Sequence, residues 1–194
     1  MRIVVVGGSL AGLATALLLA RNGHELVVLD RDDIRPAPDI EAAAASAFRI
    51  GAPQVVQGHG YLPGGRRLLR EHLPDVYSAL LESGVEELHL PSRMPPTIAD
   101  RSPQPGDDDL VRLCSRRSTV DLVFRRAAST EPGLDLLPGS AATGLITVSD
   151  GAGIPRVSGL MTDLLPRPSV HGVTRLSLTL HVADGRQPRS LDRL

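Results

Sequence analysis

MRIVVVGGSLAGLATALLLARNGHELVVLDRD, which is residues 1–32, contains three consecutive segments whose compositions differ sharply. Residues 2–6 (RIVVV) are a β-branched run, the composition of a strand buried on both faces of a parallel sheet. Residues 10–21 are rich in alanine and leucine and contain no proline, which predicts a helix. Gly23 ends that helix because glycine adopts the left-handed conformation at low cost. Since residues 25–29 (ELVVL) predict a second strand, the stretch is a βαβ unit.

A Gly-x-Gly-x-x-Gly fingerprint, with serine at its second glycine position, lies between the first strand and the helix. Its residues are Gly7, Gly8, Ser9, Leu10, Ala11 and Gly12. Gly7 permits a tight turn, and Gly12 lets the helix approach the strand closely. The free N–H groups and the dipole at the helix start attract a pyrophosphate. A Cβ at Ser9 would crowd that phosphate unless the backbone shifts, although the hydroxyl can also donate a hydrogen bond.

An acidic residue follows the second strand, as the fingerprint requires. Asp30 ends the segment ELVVLD, roughly 20 residues beyond the glycines, where a carboxylate accepts hydrogen bonds from ribose hydroxyls. The same charge repels a 2′-phosphate, so FAD or NAD fits the site better than NADP does. Arg31 weakens that exclusion. We therefore predict a dinucleotide site with FAD or NAD as its occupant.

Two other interpretations use the same residues. The glycines could serve the fold alone, without a ligand. Alternatively, Gly7-x-Ser9-x-Ala11 could be the nucleophile elbow of a serine hydrolase with Ser9 as its nucleophile. The position in the chain disfavours the hydrolase, because that elbow follows several strands of its sheet and only six residues precede Gly7 here.

Length and composition limit the remaining possibilities. The chain has 194 residues, of which 42% are hydrophobic and 22% charged, values that predict a single folded domain over 1–194. With a net charge of −1, no overall field favours nucleic acid or an anionic membrane. Cys114 is the one cysteine, so no intrachain disulfide can form, and we predict no metal site and a cytoplasmic location. No apolar run reaches the roughly 18 residues of a membrane span.

Beyond the βαβ unit the pattern predicts shorter elements. The predicted helices cover 41–47, 65–83 with Pro74 kinking the helix or opening a new one, and 118–129; the predicted strands cover 87–90, 110–114, 141–148, 156–162 and 173–182. Ser118 or Thr119 is expected to open the third of these helices, with Asp121 favourably placed in its first turn. Residues 91–109 are rich in proline and predict a surface excursion. The predicted fold class is α/β: a Rossmann-type fold with a mainly parallel sheet, plus a small antiparallel β-meander over about 141–182.

The N-terminal stretch resembles the FAD-dependent monooxygenases of the aromatic-hydroxylase type (group A flavoprotein monooxygenases). Three further segments are similar to the same family: PQVVQGHGYLPGGRRLLREHLPDVYSALLESG (53–84), LCSRRSTVDLVFRRAASTEPGLDLLPGSAATGL (113–145) and HVADGRQPRSLDRL (181–194). The resemblance implies that an arginine of the Ser115-Arg116-Arg117 segment lies along the FAD phosphates, for which we name Arg116. It also implies that Asp184, of the motif Asp184-Gly185, contacts the cofactor near its pyrophosphate.

The family reaction uses NAD(P)H as electron donor and oxygen to hydroxylate or epoxidise a small organic substrate, so the resemblance implies an oxidoreductase. Family members continue for about as many residues again, which leads us to expect a truncated FAD-binding portion without the substrate domain. A non-catalytic nucleotide-binding remnant is the main alternative, and a flavin-dependent halogenase or reductase is another. His59 lies in a glycine-flanked loop, where a surface position is favoured over one facing the flavin. Neither a catalytic residue nor an oligomeric state can be assigned from the sequence.

Overall fold

The computed structural model of the chain describes residues 1–49, 51–148, 156–164 and 178–179. Its helices are α1 (Leu10–Arg21), α2 (Ile40–Ala45), α3 (Pro63–His72), α4 (Pro74–Glu82) and α5 (Arg117–Thr130). Its strands are β1 (Arg2–Val6), β2 (Glu25–Asp30), β3 (Gly58–Tyr61), β4 (Glu86–His89), β5 (Val111–Arg116), β6 (Leu134–Pro138), β7 (Ser140–Val148), β8 (Arg156–Leu164) and β9 (Leu178–Thr179). The predicted α/β class and Rossmann-type βαβ unit are confirmed.

A three-stranded parallel sheet carries the N-terminal unit. Its order is β1-β2-β6, with Val4 beside Val27 and Val28 beside Leu136. Strand β2 lies in the middle and is buried, whereas β1 lies at the edge of the described sheet and is only partly buried. Parallel strands all run the same way, so their three carboxyl ends meet at one edge, where the candidate site lies.

The core lies between this sheet and the helices α1, α4 and α5. Leu13 and Leu17 of α1 are fully buried, and Phe124 of α5 is 1% exposed. The apolar surface of α1 extends nearly all round the helix because its neighbours cover it on several sides. With few aromatic residues in the chain, leucine and valine fill most of this core.

Two antiparallel sheets complete the described part of the fold. One has the order β3-β5-β4, and the sequence analysis missed its strand β3. This strand could not be predicted because two of its four residues are glycine, which is depleted in strands. The other has the order β7-β8-β9 and is the predicted meander. Of the predicted run 173–182, only residues 178–179 are among those described.

Several predicted details are corrected. Of the two alternatives predicted for residues 65–83, the structure confirms the second, because Pro74 opens the new helix α4. Helix α5 begins at Arg117 without a side-chain cap, so neither Ser118 nor Thr119 opens it. Asp121 consequently lies beyond the first turn and is buried, and it pairs with arginines instead of helix amides. Strand β6 was not predicted; Gly133 precedes it and Pro138 ends it, and both residue types are depleted in strands.

Candidate functional site

The glycine-rich turn joins β1 to α1 with the geometry that its fingerprint predicts. Gly7 has a φ of +104°, a left-handed conformation that favours glycine, and its N–H donates to the carbonyl of Leu29 at 2.7 Å. A Cβ added at Gly12 would overlap the carbonyl oxygen of Gly7. Any side chain at position 12 would therefore push helix α1 away from the turn.

The start of α1 presents backbone amides without helical partners. The first intrahelical hydrogen bond is donated by Leu13 to the carbonyl of Ser9, at 2.9 Å. The amides of Leu10, Ala11 and Gly12 precede that bond and have no acceptor four residues back within the helix. Ser9 is the N-cap residue with extended backbone, and its hydroxyl does not cap the helix. These amides and the positive end of the helix dipole form an anion-binding arrangement.

Asp30 lies at the carboxyl end of β2, packed against the glycine-rich turn. Its Oδ1 accepts from the N–H of Asp32 at 3.2 Å, and its Oδ2 accepts from Nη2 of Arg125 at 3.1 Å. A Cβ added at Gly8 would lie 2.8 Å from Oδ2 of Asp30, so glycine at position 8 makes room for this carboxylate. The glycine-rich turn and the acidic residue are thus in direct contact.

The turn and Asp30 line one cleft of about 280 Å³. Its walls come from the turn, the end of β2, the loop before residue 53 and the first residues of β7, including Gly7, Gly8, Asp30, Arg31, Gly51 and Ser140. The guanidinium of Arg31 lies over Gly51, where an added Cβ would overlap it. The cleft therefore brings together the predicted residues of the βαβ unit and a cation beside them.

The two arginines at the end of β5 differ in position. Nη2 of Arg117 donates to the hydroxyl of Ser9 at 3.4 Å, beside the glycine-rich turn. Arg116 instead lies on the surface, where its Nη1 is 3.0 Å from Oε1 of Glu41. The structure thus brings Arg117, and not the predicted Arg116, to the turn, because the side chains at the junction of β5 and α5 point in different directions.

His59 lies in strand β3 and not in the predicted loop. It is half-buried, and its ring meets that of Tyr61 edge-on, with centroids 4.9 Å apart. Burial lowers the pKa of His59, and the charge of Arg117 lowers it further. Burial also raises the pKa of Tyr61, whose hydroxyl has no hydrogen-bond partner among the described residues. Both groups are therefore neutral near pH 7.

Three buried residues next to Asp30 were missed by the sequence analysis. Arg49, Asp121 and Arg125 are buried, and Asp121 accepts hydrogen bonds from both arginines. The spacing of Asp121 and Arg125, four residues apart on one helix, was the available signal for part of this cluster. Nothing in the sequence near Arg49 indicates that it joins them.

Within the described ranges, Ser9 is hydrogen-bonded to no histidine or carboxylate, which gives the hydrolase interpretation no base. No helix in those ranges is long and apolar enough to cross a membrane, and they contain no group of three or more metal-ligating side chains. Asp184 lies outside the described residues.

Residues 5–36 match the family model of an NAD(P)-binding Rossmann-like domain. A D-amino acid dehydrogenase of Methylobacterium nodulans is 37% identical over 86 residues, which cover 42% of this chain and 20% of that protein. One from Granulibacter bethesdensis is 42% identical over 50 residues, or 26% of this chain and 11% of that protein. The chain thus covers a fifth or less of the length of these relatives.

Solved structures with a similar fold cover more of the chain. PqsL of Pseudomonas aeruginosa, solved in complex with 2-aminobenzoylacetate, matches with a TM-score of 0.58 at 13% identity, over 84% of this chain and 39% of its own. The p-nitrophenol 4-monooxygenase PnpA of Pseudomonas putida matches with a TM-score of 0.50 at 16% identity, over 83% of this chain and 36% of its own. The predicted resemblance to part of a flavin monooxygenase is thus confirmed at the level of the fold.

Proposed function

We propose that the chain binds FAD in the cleft between the glycine-rich turn and Asp30 and belongs to an oxidoreductase of the flavin monooxygenase type. The observation that carries this proposal is the contact of the two predicted halves of the site. Gly7, Gly8 and Ser9 of the glycine-rich turn line one cleft together with Asp30, and Gly8 packs against the carboxylate of Asp30.

The residues of the cleft fit the adenosine diphosphate half of FAD. The amides of Leu10, Ala11 and Gly12 would bind the pyrophosphate, with Arg117 adding a positive charge near Ser9. Asp30 has two acceptor interactions within the protein, and a carboxylate has about four lone-pair sites, so acceptor capacity remains for the ribose hydroxyls. Arg31 also lines the cleft, and its positive charge would attract a nearby phosphate.

The choice of FAD and of an oxygenase reaction is supported by the resemblance and the related structures. PqsL carries the description of a probable FAD-dependent monooxygenase, and PnpA is named a 4-monooxygenase. In such a protein the flavin supplies the redox chemistry, using NAD(P)H and oxygen. This chain's own residues would bind the cofactor and orient its sugar and phosphates.

Flavin binding to the purified chain tests the proposal. We expect visible flavin absorbance in the purified protein, or saturable quenching of added FAD fluorescence. Gly12→Val should abolish binding because its side chain overlaps the carbonyl of Gly7. Gly64→Val is the matched control, since nothing lies within 4 Å of a Cβ at that helical glycine.

A second measurement separates binding from catalysis. With FAD bound, flavin reduction by NADH or NADPH followed by oxygen consumption supports the oxidoreductase assignment. FAD binding without either reaction would reduce the proposal to nucleotide binding. No FAD or ADP binding by folded protein, or undiminished binding by Gly12→Val, would contradict the proposed site itself.

A further inference from the structure

A buried network of four charged side chains adjoins the candidate cleft. Arg49 Nη2 is 3.0 Å from Oδ1 of Asp121, and Arg125 Nε is 2.8 Å from Oδ2 of the same carboxylate. Arg125 Nη2 then reaches Oδ2 of Asp30 at 3.1 Å. Side-chain exposure within this network is 13% or less. The network thus runs from the loop after α2, through α5, to the acidic residue of the site.

The charges of the network balance, which explains how it can be buried. Two guanidinium groups face two carboxylates, so the cluster is neutral as a whole. An unpaired charge in the interior carries a large desolvation penalty, whereas paired and hydrogen-bonded charges offset much of it. Arg125 uses all three side-chain nitrogens: Nε and Nη2 contact Asp121 and Asp30, and Nη1 lies 3.4 Å from the carbonyl oxygen of Ile34.

One nitrogen of Arg125 connects both halves of the cleft. Nη2 donates to the carbonyl oxygen of Gly8 at 2.6 Å and to Oδ2 of Asp30 at 3.1 Å. These two oxygens are both acceptors and repel each other unless a donor lies between them. Nη2 donates one of its two hydrogens to each of these acceptors. The glycine-rich turn and the acidic residue are therefore held at a fixed separation.

We propose that Arg125 is a positioning residue: it fixes the orientation of the Asp30 carboxylate so that this carboxylate can accept a hydrogen bond from the free 2′-hydroxyl of a ribose. This inference rests on the proposed nucleotide site. Asp121, which is itself paired with Arg49, holds Nε of Arg125, and Nη2 of Arg125 in turn holds the carboxylate of Asp30 beside Gly8. Arg125 therefore determines how well the cleft distinguishes a 2′-hydroxyl from a 2′-phosphate, although it does not line the cleft itself.

Lysine cannot replace Arg125 in this role. An ammonium group has its three hydrogens on one atom, whereas the guanidinium spreads its donors over a planar fork. The observed contacts use Nε for Asp121 and Nη2 for Gly8 and Asp30, and a single ammonium nitrogen cannot occupy both of these positions. Arg125→Lys thus preserves the charge but loses the simultaneous contacts.

A double-mutant cycle between positions 30 and 125 tests the proposal in the full chain. The affinities of 5′-ADP and adenosine 2′,5′-bisphosphate are measured by calorimetry for the wild type, Asp30→Asn, Arg125→Lys and the double variant. We expect Arg125→Lys to weaken ADP binding about tenfold, a coupling typical of contacting groups, and to reduce the preference for ADP over the bisphosphate. In a protein that already carries Asp30→Asn, Arg125→Lys should change the ADP affinity and the preference for ADP over the bisphosphate only slightly.

Arg126→Lys is the matched control, because Arg126 is the next residue of α5, is exposed, and donates to the carbonyl of Ala37. It should leave ADP affinity and the preference unchanged. If circular dichroism shows that Arg125→Lys does not fold, Asp121→Asn replaces it in the cycle, since it removes the negative charge that holds Nε of Arg125 while keeping the guanidinium.

The results separate this inference from the proposed function. Loss of ADP binding in Asp30→Asn with normal binding and preference in folded Arg125→Lys overturns the positioning role alone. Equal losses from Arg125→Lys with and without Asp30 also overturn it, because they indicate a general structural effect. A wild-type chain that binds neither nucleotide contradicts the proposed function instead.

Discussion

At the scale of single residues, Arg117 links the glycine-rich turn to the aromatic pair of β3. Its Nη2 contacts the hydroxyl of Ser9, and its charge contributes to the lowered pKa of His59. The larger contribution to that shift is burial of the histidine. A histidine whose pKa falls on folding stabilises the protein most above its unfolded pKa of about 6.5, and the stabilisation decreases as the pH falls below it.

Arg117→Gln should therefore raise the pKa of His59, because a nearby positive charge is removed. The pKa should stay below its ordinary value, since the burial that contributes most remains. The chemical shift of the His59 ring protons, followed by NMR against pH, measures the change. Arg116→Gln serves as control, because Arg116 pairs with Glu41 on the surface. Equal shifts in both variants would contradict the assignment of Arg117 as the neighbouring charge.

At the scale of elements, one ion-pair cluster connects three helices. Arg21 at the end of α1 reaches Asp75 of α4 through two nitrogens, at 2.7 and 2.8 Å. Its Nε donates to Glu131, which follows α5, at 3.0 Å. The hydrogen bond from Arg21 lowers the pKa of Asp75. Because this carboxyl is 59% exposed, solvent screening limits its contribution to stability.

Acidification should weaken this connection. A carboxyl whose pKa falls on folding contributes its full stability above its unfolded pKa, near 4, and loses it as the pH falls through the folded value. Arg21→Gln should cost about 1 kcal/mol or less at pH 7 and progressively less towards pH 3. Urea unfolding of both proteins across this range measures the difference. Arg2→Gln, whose ion pair with Glu25 is exposed on both sides, should show no such trend.

How far the elements could be predicted depends on local periodicity. The predicted β1, α1 and β2 end within one residue of the observed bounds, because their composition changes abruptly at Gly7 and Gly23. Strand β3 was missed because its pairing with β5 lies far along the chain and its glycines favour a loop. The same limit applies to the site. The turn and Asp30 follow from local spacing, whereas the contact of Arg125 with Asp30 spans 95 residues of sequence.

At the scale of the whole molecule, the candidate cleft lies where all three parallel strands end. Gly7 follows β1, Asp30 ends β2, and Ser140 comes just after β6. Ligands of open α/β sheets bind at the carboxyl ends of their strands, so this edge is the expected place for a nucleotide. The buried core lies behind it, and the network through Arg125 connects the two. Ligand binding should therefore stabilise the whole fold and not a single loop.

Thermal unfolding should report this coupling directly. A ligand that binds only the folded state adds about 2.7 kcal/mol at a concentration of 100 times its Kd. For a chain of this size, each kcal/mol raises Tm by about 2–4 °C, so saturating ADP should raise Tm by about 5–10 °C. Gly12→Val should lose the increase, while Gly64→Val keeps it, because only the first substitution meets the carbonyl of Gly7. An equal rise in both variants would place the nucleotide elsewhere on the molecule.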